Sequence, residues 1–285
     1  MTYEVEESDE LFAKPDGLEL LARIYRPKGT GPSAWPALVD VHGGAWTRLD
    51  RTVGQHHGRG LAAAGIVVVS LDFRMPPDAG YPASLQDVNY AIRWCKVRAK
   101  ELKTRPDLVG LLGVSSGGHQ AMLAAMRPAD PRYGALPLAG KAVDASVRAV
   151  VLCWPVIDPL GRYRYAKTNA EGPLKKQAAN WIQCHGQYWT GGESEMAEGN
   201  PTAALERGEE GPLPPVIYLQ GTADVAHPVE NRDRFIASYR KAGGRVELHL
   251  FEGMGEAFVT NDPASPAARS AIEKIIEFVH REIPA

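Results

Sequence analysis

Short apolar runs alternate along the chain with longer stretches of helical periodicity. We predict strands at the runs and at the partly alternating residues 17–26; the runs are residues 36–41, 66–71, 107–113, 147–154, 214–220 and 246–251. Apolar residues at helical spacing predict helices over residues 54–64, 84–101, 228–242 and 267–280. Strands that alternate with helices indicate an α/β fold, with a mainly parallel sheet covered by helices on both faces.

One segment, from about residue 155 to 205, breaks this alternation. It is rich in aromatic and polar residues, among them Tyr163, Trp181, His185 and Trp189. An insertion there would lie over the carboxyl ends of the strands, where open α/β sheets bind ligands. We therefore predict one domain over residues 1–285 with a small cap at this insertion, and an irregular surface excursion is the alternative.

A Gly-Val-Ser-Ser-Gly sequence, residues 113–117, stands between the strand predicted at 107–113 and an alanine-rich helical stretch, Gln120 to Met126. A serine in G-x-S-x-G between a strand and a helix forms a nucleophile elbow. The turn is tight, so its flanking positions favour glycine. Ser115 is the candidate nucleophile, at a helix N-terminus where developing negative charge is favoured.

A second glycine-rich sequence, His42-Gly43-Gly44-Ala45-Trp46, directly follows the strand at 36–41. It matches the HGGG-type loop whose backbone N–H groups stabilise an oxyanion, together with the amide of the residue after the serine. The predicted donors are therefore Gly43, Gly44, Ala45 and Ser116. We interpret His42 as a residue that shapes the loop rather than as a base.

These two motifs, together with Gly221-Thr222-Ala223-Asp224, resemble the α/β-hydrolase superfamily. More narrowly, they are similar to its carboxylesterase, hormone-sensitive-lipase-like and dienelactone-hydrolase-like branches. The resemblance covers roughly residues 17–281, and it implies hydrolysis of small esters, lactones or amides through an acyl-enzyme on Ser115. It assigns Asp224 as the acid of a catalytic triad. The alternative is that Asp224 only caps the following helix.

The chain departs from the family pattern at the catalytic base. The family places a histidine after the last strand, often as G-M-x-H-x-F, whereas this chain has Gly253-Met254-Gly255-Glu256-Ala257-Phe258. Glu256 therefore occupies the usual histidine position, and the base is missing or non-standard. If the rest of the machinery is intact, restoring a histidine by Glu256→His should raise esterase activity strongly.

Four interpretations of Glu256 remain open from the residues. In the first, another histidine is the base, and His227, three residues after Asp224, is the best candidate. In the second, Glu256 is itself the base, because two neighbouring carboxylates raise one apparent pKa. In the third, Ser115 does not attack; the protein is a silent ligand-binding homologue or a non-hydrolytic enzyme in which Glu256 moves a proton. In the fourth, Glu256 is an introduced substitution that disables the enzyme.

The other histidines divide by position. We expect His56, His57 and His185 to be able to reach the pocket, and His119 to pack under the elbow, with His249 and His280 structural. The aromatic residues of the insertion and Trp46 indicate a compact pocket, so we predict that Trp46, His185 and Trp189 bind substrate.

The composition limits which classes of partner and which cellular location we expect. The chain has 285 residues with a net charge of −2, which gives no reason to expect nucleic acid or an anionic membrane. Its acidic, polar start does not read as a signal peptide, and no stretch is long and apolar enough to span a bilayer. The three cysteines show no disulfide or metal spacing, so a cytoplasmic protein without metal or cofactor is expected. Homodimers are common in the superfamily, often through the last strand and helix, so a homodimer is one expectation.

Overall fold

Eight strands form one sheet in the computed structural model, which describes residues 2–138 and 143–285. They are β1 (Glu4–Ala13), β2 (Leu20–Lys28), β3 (Ala37–Val41), β4 (Val67–Leu71), β5 (Val109–Val114), β6 (Val150–Cys153), β7 (Val216–Gly221) and β8 (Val246–Phe251). Their order across the sheet is β1-β2-β4-β3-β5-β6-β7-β8. The pairs from β4 to β8 are parallel, whereas β1–β2 and β2–β4 are antiparallel. The predicted mainly parallel sheet is confirmed.

The central strands are short and buried along their whole length. Every residue of β3, β4 and β7 is buried, which explains why their sequences are continuous apolar runs rather than alternating ones. In the parallel pairing of β3 with β5, Asp40 lies opposite Leu112, and the chain reaches Ser115 three residues later. The β3–β5 pair thus brings the two glycine-rich motifs to one edge of the sheet.

Ten α-helices occupy the described residues. They are α1 (Gln55–Ala63), α2 (Ala83–Val97), α3 (Ser116–Met126), α4 (Pro159–Thr168), α5 (Lys175–Tyr188), α6 (Glu193–Glu198), α7 (Pro201–Glu206), α8 (Val229–Lys241), α9 (Phe258–Asn261) and α10 (Pro266–Glu282). One hydrophobic cluster joins the sheet to α2, α3 and α8, and a second joins it to α1 and α10. Neighbouring residues Leu38 and Val39 of β3 belong to different clusters, so the helices cover opposite faces of the sheet.

Several element boundaries differ from the prediction. Strand β1 was not predicted, because its outer edge position leaves many of its polar and acidic side chains exposed and no apolar run marks it. Helix α2 ends at Val97 rather than at residue 101. The predicted cap segment contains α4 to α7, between β6 and β7; its function as a cap stays a prediction.

Two features are absent from the described residues. No helix there has the length and apolar character needed to cross a membrane. No group of three His, Cys, Asp or Glu side chains in the same part of the chain is arranged to hold a metal ion. The three cysteines are free and buried.

Candidate active site

Ser115 lies on the sharp turn that joins β5 to α3. Its backbone has a φ of 52° and a ψ of −116°, a strained conformation for a residue other than glycine. The neighbouring chain allows this turn only because Gly113 and Gly117 have no side chains: a Cβ on Gly113 would lie 2.5 Å from the carbonyl oxygen of Gly117. The local sequence therefore forms the elbow that G-x-S-x-G predicts.

His227 reaches the serine from the turn between β7 and α8. Its Nε2 lies 3.2 Å from Ser115 Oγ, and its Nδ1 lies 2.8 Å from Asp224 Oδ2. The carboxylate can only accept, so Nδ1 carries the hydrogen and Nε2 presents its lone pair to the serine hydroxyl. The three side chains are hydrogen-bonded in the order of a nucleophile, a base and an orienting acid.

The turn that carries the acid and the base is held from several sides. Asp224 Oδ1 accepts hydrogen bonds from the backbone N–H groups of Ala226, at 2.8 Å, and His227, at 3.2 Å. Gln220 Nε2 donates to the carbonyl of His227 at 2.7 Å. From α4, the buried Arg162 donates its Nε to the carbonyl of Ala226 at 3.0 Å. These bonds fix the imidazole in place beside Ser115.

The electrostatics of the turn keep the Asp224 carboxylate ionised. Burial acts to raise the pKa of Asp224, but the His227 imidazole and the two backbone N–H donors outweigh it and leave the pKa below its usual value. The side chain of Asp224 is fully buried and that of His227 is 2 % exposed. A buried, ionised carboxylate on Nδ1 stabilises an imidazolium when Nε2 takes a proton.

Glu256, which occupies the family's histidine position, lies outside this hydrogen-bonded series. Its Oε1 is 4.0 Å from His227 Nε2, and its side chain is 42 % exposed. It faces the serine-side nitrogen of the imidazole across a gap too long for a hydrogen bond. The structure therefore brings Ser115, His227 and Asp224 together and leaves Glu256 outside this hydrogen-bonded group.

The predicted oxyanion loop packs against the elbow. Trp46 N–H donates to Ser116 Oγ at 3.1 Å, and a Cβ on Gly43 would lie 3.1 Å from Ser115 Cβ. Gly44 has a φ of 100°, and a Cβ there would collide with the carbonyl oxygen of Arg48. The N–H groups of Gly44 and Ala45 find no acceptor in the described protein, and that of Ser116, first in α3, is free by helix geometry. The loop thus keeps backbone donors close to Ser115.

A cavity of about 230 Å³ opens beside Ser115. It is lined by residues of the oxyanion loop, the segment before α1 and the start of α9, including Leu49, Val53, His57, Glu256 and Thr260. His57 therefore reaches the pocket, as expected.

Trp46, His185 and Trp189 do not line this cavity. They are buried in a separate aromatic cluster, in which Trp46 stacks on Tyr188 with ring centroids 5.2 Å apart. Trp46 Nε1 donates to His119 Nδ1 at 3.2 Å, and the rings of His185 and Tyr188 on α5 pack against Trp46. The structure thus places all three predicted substrate-binding residues in packing positions. His119 is fully buried under the elbow, as predicted.

The BD-FAE family model matches residues 23–238, which are most of the chain. The chain belongs to the BD-FAE family.

Relatives of this BD-FAE chain include esterases from Mycobacterium tuberculosis. "Esterase LipC" is 29% identical over 268 residues, which cover 92% of this chain and 62% of the relative. "Probable carboxylic ester hydrolase LipM" is 28% identical and covers 78% of this chain and 51% of the relative. The chain thus spans about half to three fifths of the length of these curated relatives.

Solved structures confirm the α/β-hydrolase fold. Esterase 2 from Thermogutta terrifontis is 25% identical, with a TM-score of 0.76, and the match covers 96% of this chain and 94% of that one. Esterase B from Lactobacillus rhamnosis has a TM-score of 0.79 at 20% identity, a likeness of fold alone, and covers 97% and 85% of the two chains.

The sequence reasoning missed Asp40 and Arg162 as parts of the site. Asp40 carries no motif, but a carboxylate inside a fully buried strand was a usable signal, because buried acids need specific partners. Arg162 carries no motif either, yet it is 2 % exposed and anchors the 224–227 turn. Nothing in its local sequence distinguishes it from the exposed Arg164.

Proposed function

We propose that this chain is a carboxylesterase that hydrolyses small esters through an acyl-enzyme on Ser115, with His227 as base and Asp224 as acid. The observation that carries the proposal is the continuous hydrogen-bonded series Ser115–His227–Asp224. The esterase relatives and the BD-FAE family model support the same reaction class.

In this mechanism His227 Nε2 takes the hydroxyl proton as Ser115 Oγ forms a bond to the carbonyl carbon. The negative charge that develops on the carbonyl oxygen is stabilised by the N–H groups of Gly44, Ala45 and Ser116, with Gly43 a further predicted donor. The intermediate collapses, and the departing alkoxide receives the proton from Nε2. Water then attacks the acyl-enzyme by the same proton path, which releases the carboxylic acid and restores Ser115.

The cavity supports small acyl groups. Its volume, about 230 Å³, is below the range typical of drug-sized ligand sites. The Thermogutta terrifontis esterase 2 has been solved with propionate and with butyrate bound. We therefore propose that the substrates are short-chain esters, together with small lactones and amides.

The two other functions have weaker support. A silent binding protein or a non-hydrolytic enzyme was motivated by Glu256 in the position of the base. In the structure a different histidine makes both contacts that a triad base needs, while Glu256 makes neither.

A fluorophosphonate probe tests the proposal directly. The wild type should become labelled on Ser115 and should hydrolyse p-nitrophenyl butanoate, whereas Ser115→Ala should do neither. Ser265→Ala is the matched control, since Ser265 caps α10 away from the cavity. An unlabelled wild type that turns over no ester at any pH would rule the proposal out.

Location in the cytoplasm and assembly as a homodimer belong to the same proposal. Light scattering coupled to size-exclusion chromatography decides the second: a mass near twice 30.9 kDa supports it, and a mass near 30.9 kDa contradicts it.

A further inference from the structure

The cavity beside Ser115 is rich in hydrogen-bond acceptors. Among its lining residues are Asp40, His42 and Glu256, and within the described chain its lining includes no lysine or arginine. Two of the three are almost completely buried, Asp40 at 2 % and His42 at 3 % exposure. Their polar atoms therefore depend on partners inside the cavity rather than on bulk water.

Asp40 has one satisfied oxygen and one unsatisfied oxygen. Its Oδ2 accepts from Ser70 Oγ at 2.7 Å and from His57 Nε2 at 3.0 Å. Its Oδ1 is buried and has no hydrogen-bond partner in the described protein. A buried carboxylate oxygen without a donor is costly, so a cation in the cavity beside Asp40 would stabilise this carboxylate.

His42 adds a second unsatisfied acceptor. Its Nδ1 lies 2.7 Å from the carbonyl oxygen of Gly43, which can only accept, so Nδ1 carries the hydrogen and Nε2 holds a lone pair. Burial lowers the pKa of His42 and keeps the ring neutral. The ring is held against Phe73, with centroids 4.3 Å apart, and Nε2 has no partner among the described residues.

Glu256 contributes charge at the mouth of the same cavity. Its side chain is 42 % exposed, in contrast with the two buried acceptors. A carboxylate at the entrance attracts cations and repels anions. The entrance and the interior thus favour the same kind of ligand.

We propose that this cavity accepts acyl groups that end in a primary ammonium, whose charge is balanced by Asp40 and Glu256 in the cavity lining. An ammonium suits the site because it carries three donors and no acceptor. This inference rests on the proposed function and names its substrate class: esters of ω-amino acids. Hydrolysis adds one water across the ester bond and releases the alcohol and the amino acid.

The size of the cavity limits the length of the acyl chain. Asp40 and Ser115 line the same cavity, whose volume is about 230 Å³. A cavity of that size suits an acyl chain of about three or four carbons. The substrates to test are therefore ethyl β-alaninate and ethyl 4-aminobutanoate.

Each ammonium ester is compared with the neutral ester of the same shape, ethyl butanoate or ethyl pentanoate. The ratio of the two kcat/KM values reports the ammonium site and cancels effects on the triad. We expect the wild type to favour the ammonium ester by at least about tenfold and to disfavour monoethyl succinate. Glu256→Gln and Asp40→Asn should each lower the ratio by about tenfold, which is the factor that about 1.4 kcal/mol represents. Glu252→Gln, an exposed acid outside the cavity lining, is the matched control and should leave the ratio unchanged.

A wild-type ratio at or below one overturns the inference while leaving the proposed function intact. If Asp40→Asn does not fold, the partly exposed Glu256→Gln still decides the question. If the wild type hydrolyses no ester, the proposed function fails, and calorimetric titration of Ser115→Ala judges the inference separately. Tighter binding of ethyl 4-aminobutanoate than of ethyl pentanoate then supports the ammonium site, and equal or weaker binding refutes it.

Discussion

The identity of the base is the first point to test, and two amide substitutions separate the candidates. His227→Gln keeps a side chain that can contact Ser115 but cannot take its proton. Glu256→Gln keeps the shape of Glu256 and removes its charge. His227, unlike Glu256, contacts both Ser115, at 3.2 Å, and Asp224, at 2.8 Å. The two substitutions should therefore have very different effects.

The magnitudes follow from the contacts. General base catalysis contributes about 10²- to 10⁴-fold, so His227→Gln should lower kcat/KM by about 10³-fold, or about 4 kcal/mol. Glu256 Oε1 lies 4.0 Å from His227 Nε2, a distance at which two unit charges attract by about 1 kcal/mol in water. Because the Glu256 side chain is 42 % exposed, the value for water is the appropriate one, so its removal should cost about fivefold.

The assay is steady-state hydrolysis of p-nitrophenyl butanoate, with circular dichroism to confirm that each variant is folded. His249→Gln serves as the matched control, because His249 pairs with Glu247 on β8. This substitution should change neither kcat nor KM. The reasoning is refuted if His227→Gln keeps activity within tenfold of the wild type, or if Glu256→Gln loses about as much as His227→Gln was expected to lose.

Three further predictions concern neighbouring groups. Glu256→His should lower esterase activity by about fivefold, as Glu256→Gln does, because it removes the same carboxylate and His227 already holds the position of the base; a hundredfold gain would show that His227 does not act, and the same p-nitrophenyl assay measures it. Arg162→Met should lower the free energy of unfolding by about 1–3 kcal/mol, because it leaves the Ala226 carbonyl without its buried donor, and should lower kcat because the 224–227 turn is held less firmly; an unchanged kcat and pH profile would contradict a positioning role, with Arg164→Met as the exposed control. His119→Gln should reduce the loss of stability in mild acid. Burial lowers the pKa of His119 to about 4, so the unfolded chain binds its proton first, and stability falls as the pH drops from about 6.5 towards about 4. Urea unfolding at about pH 7.5 and about pH 5.5 should show a drop about 1 kcal/mol larger for the wild type than for the variant, and equal drops would contradict it.

The parts of the site that depend on local backbone geometry could be predicted from the sequence. Ser115 and the loop at residues 42–46 are marked by glycines that a turn or a close approach requires, and both follow buried strands. Such signals are short-range, so a few adjacent residues contain them.

The base and the pocket lining could not be predicted in the same way. The position of the His227 ring beside Ser115 depends on hydrogen bonds that Gln220 and Arg162 donate to the turn. Arg162 lies far from the turn in the sequence, and neither residue belongs to a motif. Aromatic residues such as Trp46 and Trp189 occur both in pocket walls and in packed clusters, so the residue type does not show which role they have. Only the packing of α5 against the loop decides between these two roles.

In the proposed triad, the position of His227 beside Asp224 makes the acid and the base one local unit. Both lie on a single turn after β7, and their separation is three residues of chain. In an enzyme with its histidine after the last strand, every change in the β8–α9 connection threatens proton transfer. Here that connection supplies no group to the proposed proton path, although the Met254 carbonyl accepts from Ala223 N–H at 2.9 Å beside Asp224. Substitutions at Thr260 and Asn261, which line the cavity and leave this contact in place, can therefore change selectivity while the proposed proton path is kept.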